Sequence, residues 1–140
     1  MEELAVLAGQ IFRAQPFTAL VGAELTGVGQ DWAEITVFSR KDLQQQHGFI
    51  HGGVISYLAD NSLTFAGGMA LGGDALTSEF KINYLKPAKG EKVVAHSQAV
   101  SVGYRQAVCQ CSVHAVAGRD SVLVAIAQGT IVALSPGSVR

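Results

Sequence analysis

Between the turn His51-Gly52-Gly53 and the stop Gly72-Gly73-Asp74 lies a segment that is apolar or small on nearly every side and carries a single carboxylate, Asp60. The glycines at its two ends predict a helix from Gly52 to Leu71. A helix apolar nearly all round cannot lie on a surface, so the rest of the chain must wrap it. Tyr57, Asp60 and Thr64 fall at i, i+3 and i+7 and share one helix face. A lone carboxylate there is costly to bury without a partner or a purpose. The first N–H groups of such a helix have no intrahelical acceptor, and glycines let a ligand approach them. The amides of Gly52 and Gly53 are therefore candidate donors to an oxyanion, assisted by the positive end of the helix dipole.

The remaining patterns supply the wrapping. Leu4, Leu7, Ala8, Ile11 and Phe12 recur at helical spacing, predicting a short N-terminal amphipathic helix that Pro16 ends. Strand-like stretches follow at about 21–28 and 32–39, joined by the turn Gly29-Gln30-Asp31, and 41–50 reads as a loop. After the helix, Phe80, Ile82 and Tyr84 alternate with polar residues up to Pro87, and strand parity puts Thr77 on the side opposite to them. Three long strands at about 92–102, 105–116 and 121–134 are joined by connections short enough for antiparallel hairpins. The expectation is one α+β domain over residues 1–140, an antiparallel sheet of about six strands around one long hydrophobic helix. Its outer face and edges would need cover, which argues for a homodimer at minimum and a homotetramer, a dimer of dimers, beyond that.

Composition limits the function. About half of the 140 residues are hydrophobic, enough for one real core. A net charge of -1 with 15% charged residues gives no footprint for nucleic acid or anionic lipid. Asp60 and Asn61, and Gln128 further on, interrupt the apolar runs, so no membrane span is expected. The start Met1-Glu2-Glu3 lacks the basic region of a secretory signal, and a cytoplasmic location is expected. Cys109 and Cys111 lie two apart on one strand face, roughly 7 Å from each other, too far for a disulfide, and read as core thiols. His47 and His51 straddle a loop and a helix start, while His96 and His114 lie on strands without a ligand cluster, so no metal site is expected.

Two motifs carry a resemblance. Gly48-x-x-His51-Gly52-Gly53 is followed nine residues after the histidine by Asp60, and the next strand ends Tyr84-Leu85-x-Pro87. Together they resemble the hotdog acyl-CoA thioesterases of the phenylacetyl-CoA thioesterase (PaaI-type) group, over about residues 17–134. The resemblance implies a hotdog fold and thioester hydrolysis, with coenzyme A as part of the substrate and no separate cofactor. It makes Asp60 the catalytic carboxylate, as general base or nucleophile, and Gly52 with Gly53 the oxyanion donors. Gln45 would place a side-chain amide near the carbonyl or the attacking water, His51 would orient the loop or contact substrate, and Thr64 and Thr77 would hold the water. Lys86, Lys89, Lys92 and Arg105 are candidates for coenzyme A phosphates at a surface entrance.

The chemistry agrees with those residue types. Hydrolysing a thioester needs stabilised charge on the carbonyl oxygen and a base for water, whereas the thiolate leaves with little help. A hotdog hydratase or dehydratase would need a histidine paired with the carboxylate, and the sequence shows none beside Asp60. A non-catalytic acyl-CoA binding domain would have no use for Asp60. The acyl group is not legible.

Overall fold

A helix that is apolar on all sides needs cover, and a single antiparallel sheet provides it. The computed structural model describes residues 2–134 of the domain expected over 1–140; Met1 and the last six residues lie outside the described part. In chain order the elements are α1 (Glu2–Ala14), α2 (Pro16–Val21), β1 (Ala23–Val28), β2 (Trp32–Phe38), α3 (Gly52–Leu71), β3 (Ala75–Tyr84), β4 (Lys92–Val102), β5 (Gln106–Ala117) and β6 (Asp120–Ala133). The six strands run in the order β1-β2-β4-β5-β6-β3, with every neighbouring pair antiparallel. This is the hotdog fold.

The helix lies in the sheet as its composition requires. Leu58, Leu63 and Ala66 are wholly buried, as are Ile35, Ala95, Val113 and Ile131 from the inward-facing strand positions. Gly67 shows how tight the seat is: a Cβ there would stand 2.5 Å from Cβ of Ile131, so helix backbone touches β6 directly. Beyond the sheet, Phe12 of α1 meets Phe65 of α3 edge to face at 5.6 Å. Cys109 and Cys111 are free and buried in the core, as expected. Among the described residues no helix is long and apolar enough to cross a membrane.

Three local expectations are corrected. Pro16 does more than end α1: it begins α2, because the first helical position has no need of the N–H that proline lacks. Val21 consequently belongs to a helix, capped by Gly22 at φ 80, and the first strand starts at Ala23. The stretch 41–50 is partly ordered, with a 3-10 turn at Lys41–Leu43 and a bridge between Gln44 and Ile50. In β3 the register shifts between Thr77 and Glu79, which pair with Ile131 and Thr130. That bulge inserts one residue, Ser78, and reverses the parity, so Thr77 lies on the helix side together with Phe80 and Ile82.

Candidate active site

The start of α3 is built by His51. Its backbone is extended, and its Nδ1 accepts a hydrogen bond from the Gly53 N–H at 2.8 Å, making it the N-cap. One of the two expected oxyanion donors is thus already engaged. The Gly52 N–H has no partner among the described residues. Tyr84 packs across this glycine, its hydroxyl donating to the Gly52 carbonyl at 3.1 Å. Gln45 Oε1 accepts from the N–H groups of His47 and Phe49, which fixes the loop and leaves its amide NH2 unassigned. Gln45, Gly52, Tyr84 and Lys86 line one open cleft of about 430 Å3.

The second group lies two turns along the helix. Asp60 Oδ1 is buried and has no hydrogen-bond partner, the one such side-chain atom among the described residues. The Thr64 hydroxyl donates to the Asp60 backbone carbonyl at 2.8 Å, and Thr77 Oγ1 stands 2.5 Å from Thr64 Oγ1. With the Thr64 proton so committed, Thr77 donates to Thr64 and keeps its own lone pairs free. The bulge in β3 is what brings Thr77 here.

A polar network adjoins Asp60 that the sequence did not reveal. The Tyr57 hydroxyl meets Thr18 Oγ1 at 2.6 Å and accepts from Asn61 Nδ2 at 3.1 Å. Asn61 also donates to Gln15 Oε1 at 3.0 Å, tying α2 and the end of α1 to the helix face. Burial raises the Tyr57 phenol above its usual range, and the bonds to Thr18 and Asn61 oppose that rise. Burial likewise pushes the Cys109 thiol up to about 11, which removes it as a nucleophile at neutral pH.

Two sets of expected site residues are kept apart within one chain. Lys86 is at the cleft and Lys89 follows in the same loop, but Arg105 sits in the β4–β5 turn, beyond the full length of β4 from Lys92. That is about 30 Å, so Lys86 and Arg105 of one chain do not share a phosphate. Gly52 and Asp60, eight residues apart on α3, are separated by about 12 Å along its axis. His96 and His114 lie elsewhere on the outer sheet face, and no cluster of three metal ligands exists among the described residues.

With helix start, carboxylate and threonine pair in place, the family can be stated. The family model described as the thioesterase superfamily matches residues 47–122, a span that holds His51, Gly52, Asp60, Thr64 and Thr77. The chain belongs to this superfamily and is a thioester hydrolase. Among solved structures it is similar to a thioesterase family protein from Silicibacter pomeroyi, at 29% identity with a TM-score of 0.89, covering 94% of this chain and 98% of that one. It is also similar to a variant of the phenylacetic acid degradation protein PaaI from Thermus thermophilus, at 26% identity and a TM-score of 0.74, covering 86% and 100%. The PaaI protein of Escherichia coli shares the fold at 18% identity, with a TM-score of 0.83 and coverage of 96% and 95%.

Proposed function

We propose that the chain hydrolyses acyl-coenzyme A thioesters to a carboxylic acid and free coenzyme A. The observation that carries this reading is the buried, unpartnered oxygen of Asp60, one helix turn before Thr64, whose hydroxyl is linked to that of Thr77. An acceptor left unsatisfied costs stability unless something binds to it, and here the fitting guest is a water molecule. That water donates one hydrogen bond to Asp60 and the other to Thr77 Oγ1. Its oxygen attacks the thioester carbon while Asp60 takes the proton. The Gly52 N–H, at the positive end of α3, stabilises the developing oxyanion. When the tetrahedral intermediate collapses, the C–S bond breaks and the proton held by Asp60 neutralises the coenzyme A thiolate.

The two halves come from different chains in this reading. Because Gly52 and Asp60 stand about 12 Å apart on one helix, a carbonyl held at the helix start is out of reach of the same helix's carboxylate. Two α3 helices side by side and antiparallel in a homodimer bring Asp60 of one protomer to Gly52 of its partner. Lys86 lines the cleft with Gly52, which supports a contact with coenzyme A phosphate from that side.

The test is release of free thiol from a panel of acyl-CoAs. A thioesterase liberates coenzyme A in step with the acid. A hydratase or dehydratase would change the acyl chain and keep the thioester, and a binding domain would return every substrate unchanged.

A further inference from the structure

The helix start that carries the free Gly52 N–H is made of two glycines, Gly52 and Gly53, with no side chain to hold it. Glycine has more backbone freedom than any other residue, and the first turn of a helix lacks part of its hydrogen bonds, so such a start is prone to fray. Bonds from outside the turn oppose that. The His51 N–H donates to the Leu43 carbonyl at 2.8 Å, and His51 Nδ1 caps the Gly53 N–H. From the sheet, the Tyr84 hydroxyl donates to the Gly52 carbonyl at 3.1 Å. A first-turn carbonyl already accepts from the helix N–H four residues on, and the phenol takes its second lone pair. Tyr84 is itself fixed: it ends β3, pairs with Ala125 of β6, and the next N–H, of Leu85, donates to the Val124 carbonyl at 2.8 Å. Its ring lies across Gly52, where a Cβ would stand 3.6 Å away. Tyr84 is 55% exposed and lines the cleft, so it adds little to the core, and what it touches is the helix start.

We propose that Tyr84 is a positioning residue for thioester hydrolysis: its hydroxyl, by holding Gly52 from the carbonyl side, aims the Gly52 N–H at the thioester oxygen. The inference rests on the Gly52 amide being the oxyanion donor. Such a donor is effective when it already points at the place where charge develops, and a donor free to swing must be reoriented at every turnover. Tyr84 touches neither the reacting carbonyl nor the water in this role. Loss of its hydroxyl leaves the donor present but unaimed, which costs less than deleting the donor.

The experiment compares the parent with Tyr84→Phe, which removes the hydroxyl and keeps the ring. The probes are butyryl-, hexanoyl- and benzoyl-CoA, and the dithioester of whichever releases thiol fastest, in which sulfur replaces the carbonyl oxygen. Sulfur accepts hydrogen bonds weakly, so the dithioester gains little from an aimed N–H. In Tyr84→Phe, kcat for the thioester should fall about tenfold, short of the 10² to 10³ of a deleted oxyanion donor, with KM within about twofold. The ratio of thioester to dithioester turnover should fall by about the same factor. That ratio is taken on one preparation, so a smaller folded fraction does not move it, and a merely structural hydroxyl would leave it unchanged. A thioester kcat within about twofold of parent, or an equal loss on both substrates, overturns the role of Tyr84 and leaves hydrolysis standing. No thiol release by the parent from any of the three acyl-CoAs overturns both.

Discussion

In the proposed mechanism Asp60 is the base, because its buried oxygen is an acceptor with no donor among the described residues. The Asp60→Asn side chain keeps the shape but is a poor base, and turnover should fall by about 10² to 10⁴-fold. Folding should not suffer, since the buried oxygen of Asp60 makes no hydrogen bond that the amide would lose. Steady-state kinetics beside a thermal melt checks both; a melting temperature that dropped along with activity would make Asp60 structural. In a single turnover in heavy-oxygen water, label in the Asp60 peptide would show an acyl–Asp60 anhydride opened at the Asp60 carbonyl; if Asp60 activates water, the released acid carries the label and the Asp60 peptide carries none. The core thiols give a separate pH signature. Cys109 titrates at about 11 in the folded chain against 9.0 as the ordinary value, and burial raises Cys111 as well. Between those values the folded chain holds protons that the unfolded chain releases. Stability is therefore full below about pH 9 and falls as pH rises toward about 11. Melts at neutral pH and at about pH 10 should show that loss, and Cys109→Val should reduce it.

At the scale of elements, α3 is held by contacts that tolerate little change. Gly67→Ala adds a methyl where Cβ of Ile131 stands 2.5 Å from the ideal position. Helix propensity alone would favour alanine by about 1 kcal/mol, but overpacking costs about 1–3 kcal/mol, so the net effect should be destabilising. A denaturant midpoint equal to or above the parent's would show that the helix seat is looser than the structure indicates. The same helix explains why so much was legible in sequence: its apolar circumference forces a wrapping sheet, and glycine signals fix its ends at Gly52 and Leu71. Alternation along β2 likewise puts Ala33, Ile35 and Val37 on one strand face, and all three are buried. What parity could not carry was an inserted residue, because one bulge at Ser78 moves Thr77 to the other face and no local pattern announces it. Pro16 had two meanings, helix end and helix start, and only the packing of α2 against Tyr57 distinguishes them. The cap formed by His51 was equally hidden, since whether a histidine nitrogen turns back to its own helix depends on a rotamer. Gln15 and Thr18 join the site's surroundings from 46 and 39 residues away in sequence, beyond any periodicity argument.

For the whole molecule the decisive length is the separation of Gly52 and Asp60 along α3. It makes each protomer's two functional groups members of different sites if two helices lie antiparallel across a two-fold axis. Two inactive but folded variants expose this. Gly52→Pro deletes the proposed donor at a position where proline is compatible with a helix start. The backbone of His51 before it is extended, as a residue preceding proline requires, and a Cβ at Gly52 meets Tyr84 at an ordinary 3.6 Å. Asp60→Asn removes the proposed base. Unfolding equal amounts together and refolding gives about half mixed dimers, each with one intact site, so about a quarter of parental activity should return. Native mass spectrometry establishes that mixed dimers formed. If they did form and activity stays at the level of the separate variants, each site is built from a single chain, and the carbonyl must then be held by a donor other than the Gly52 amide.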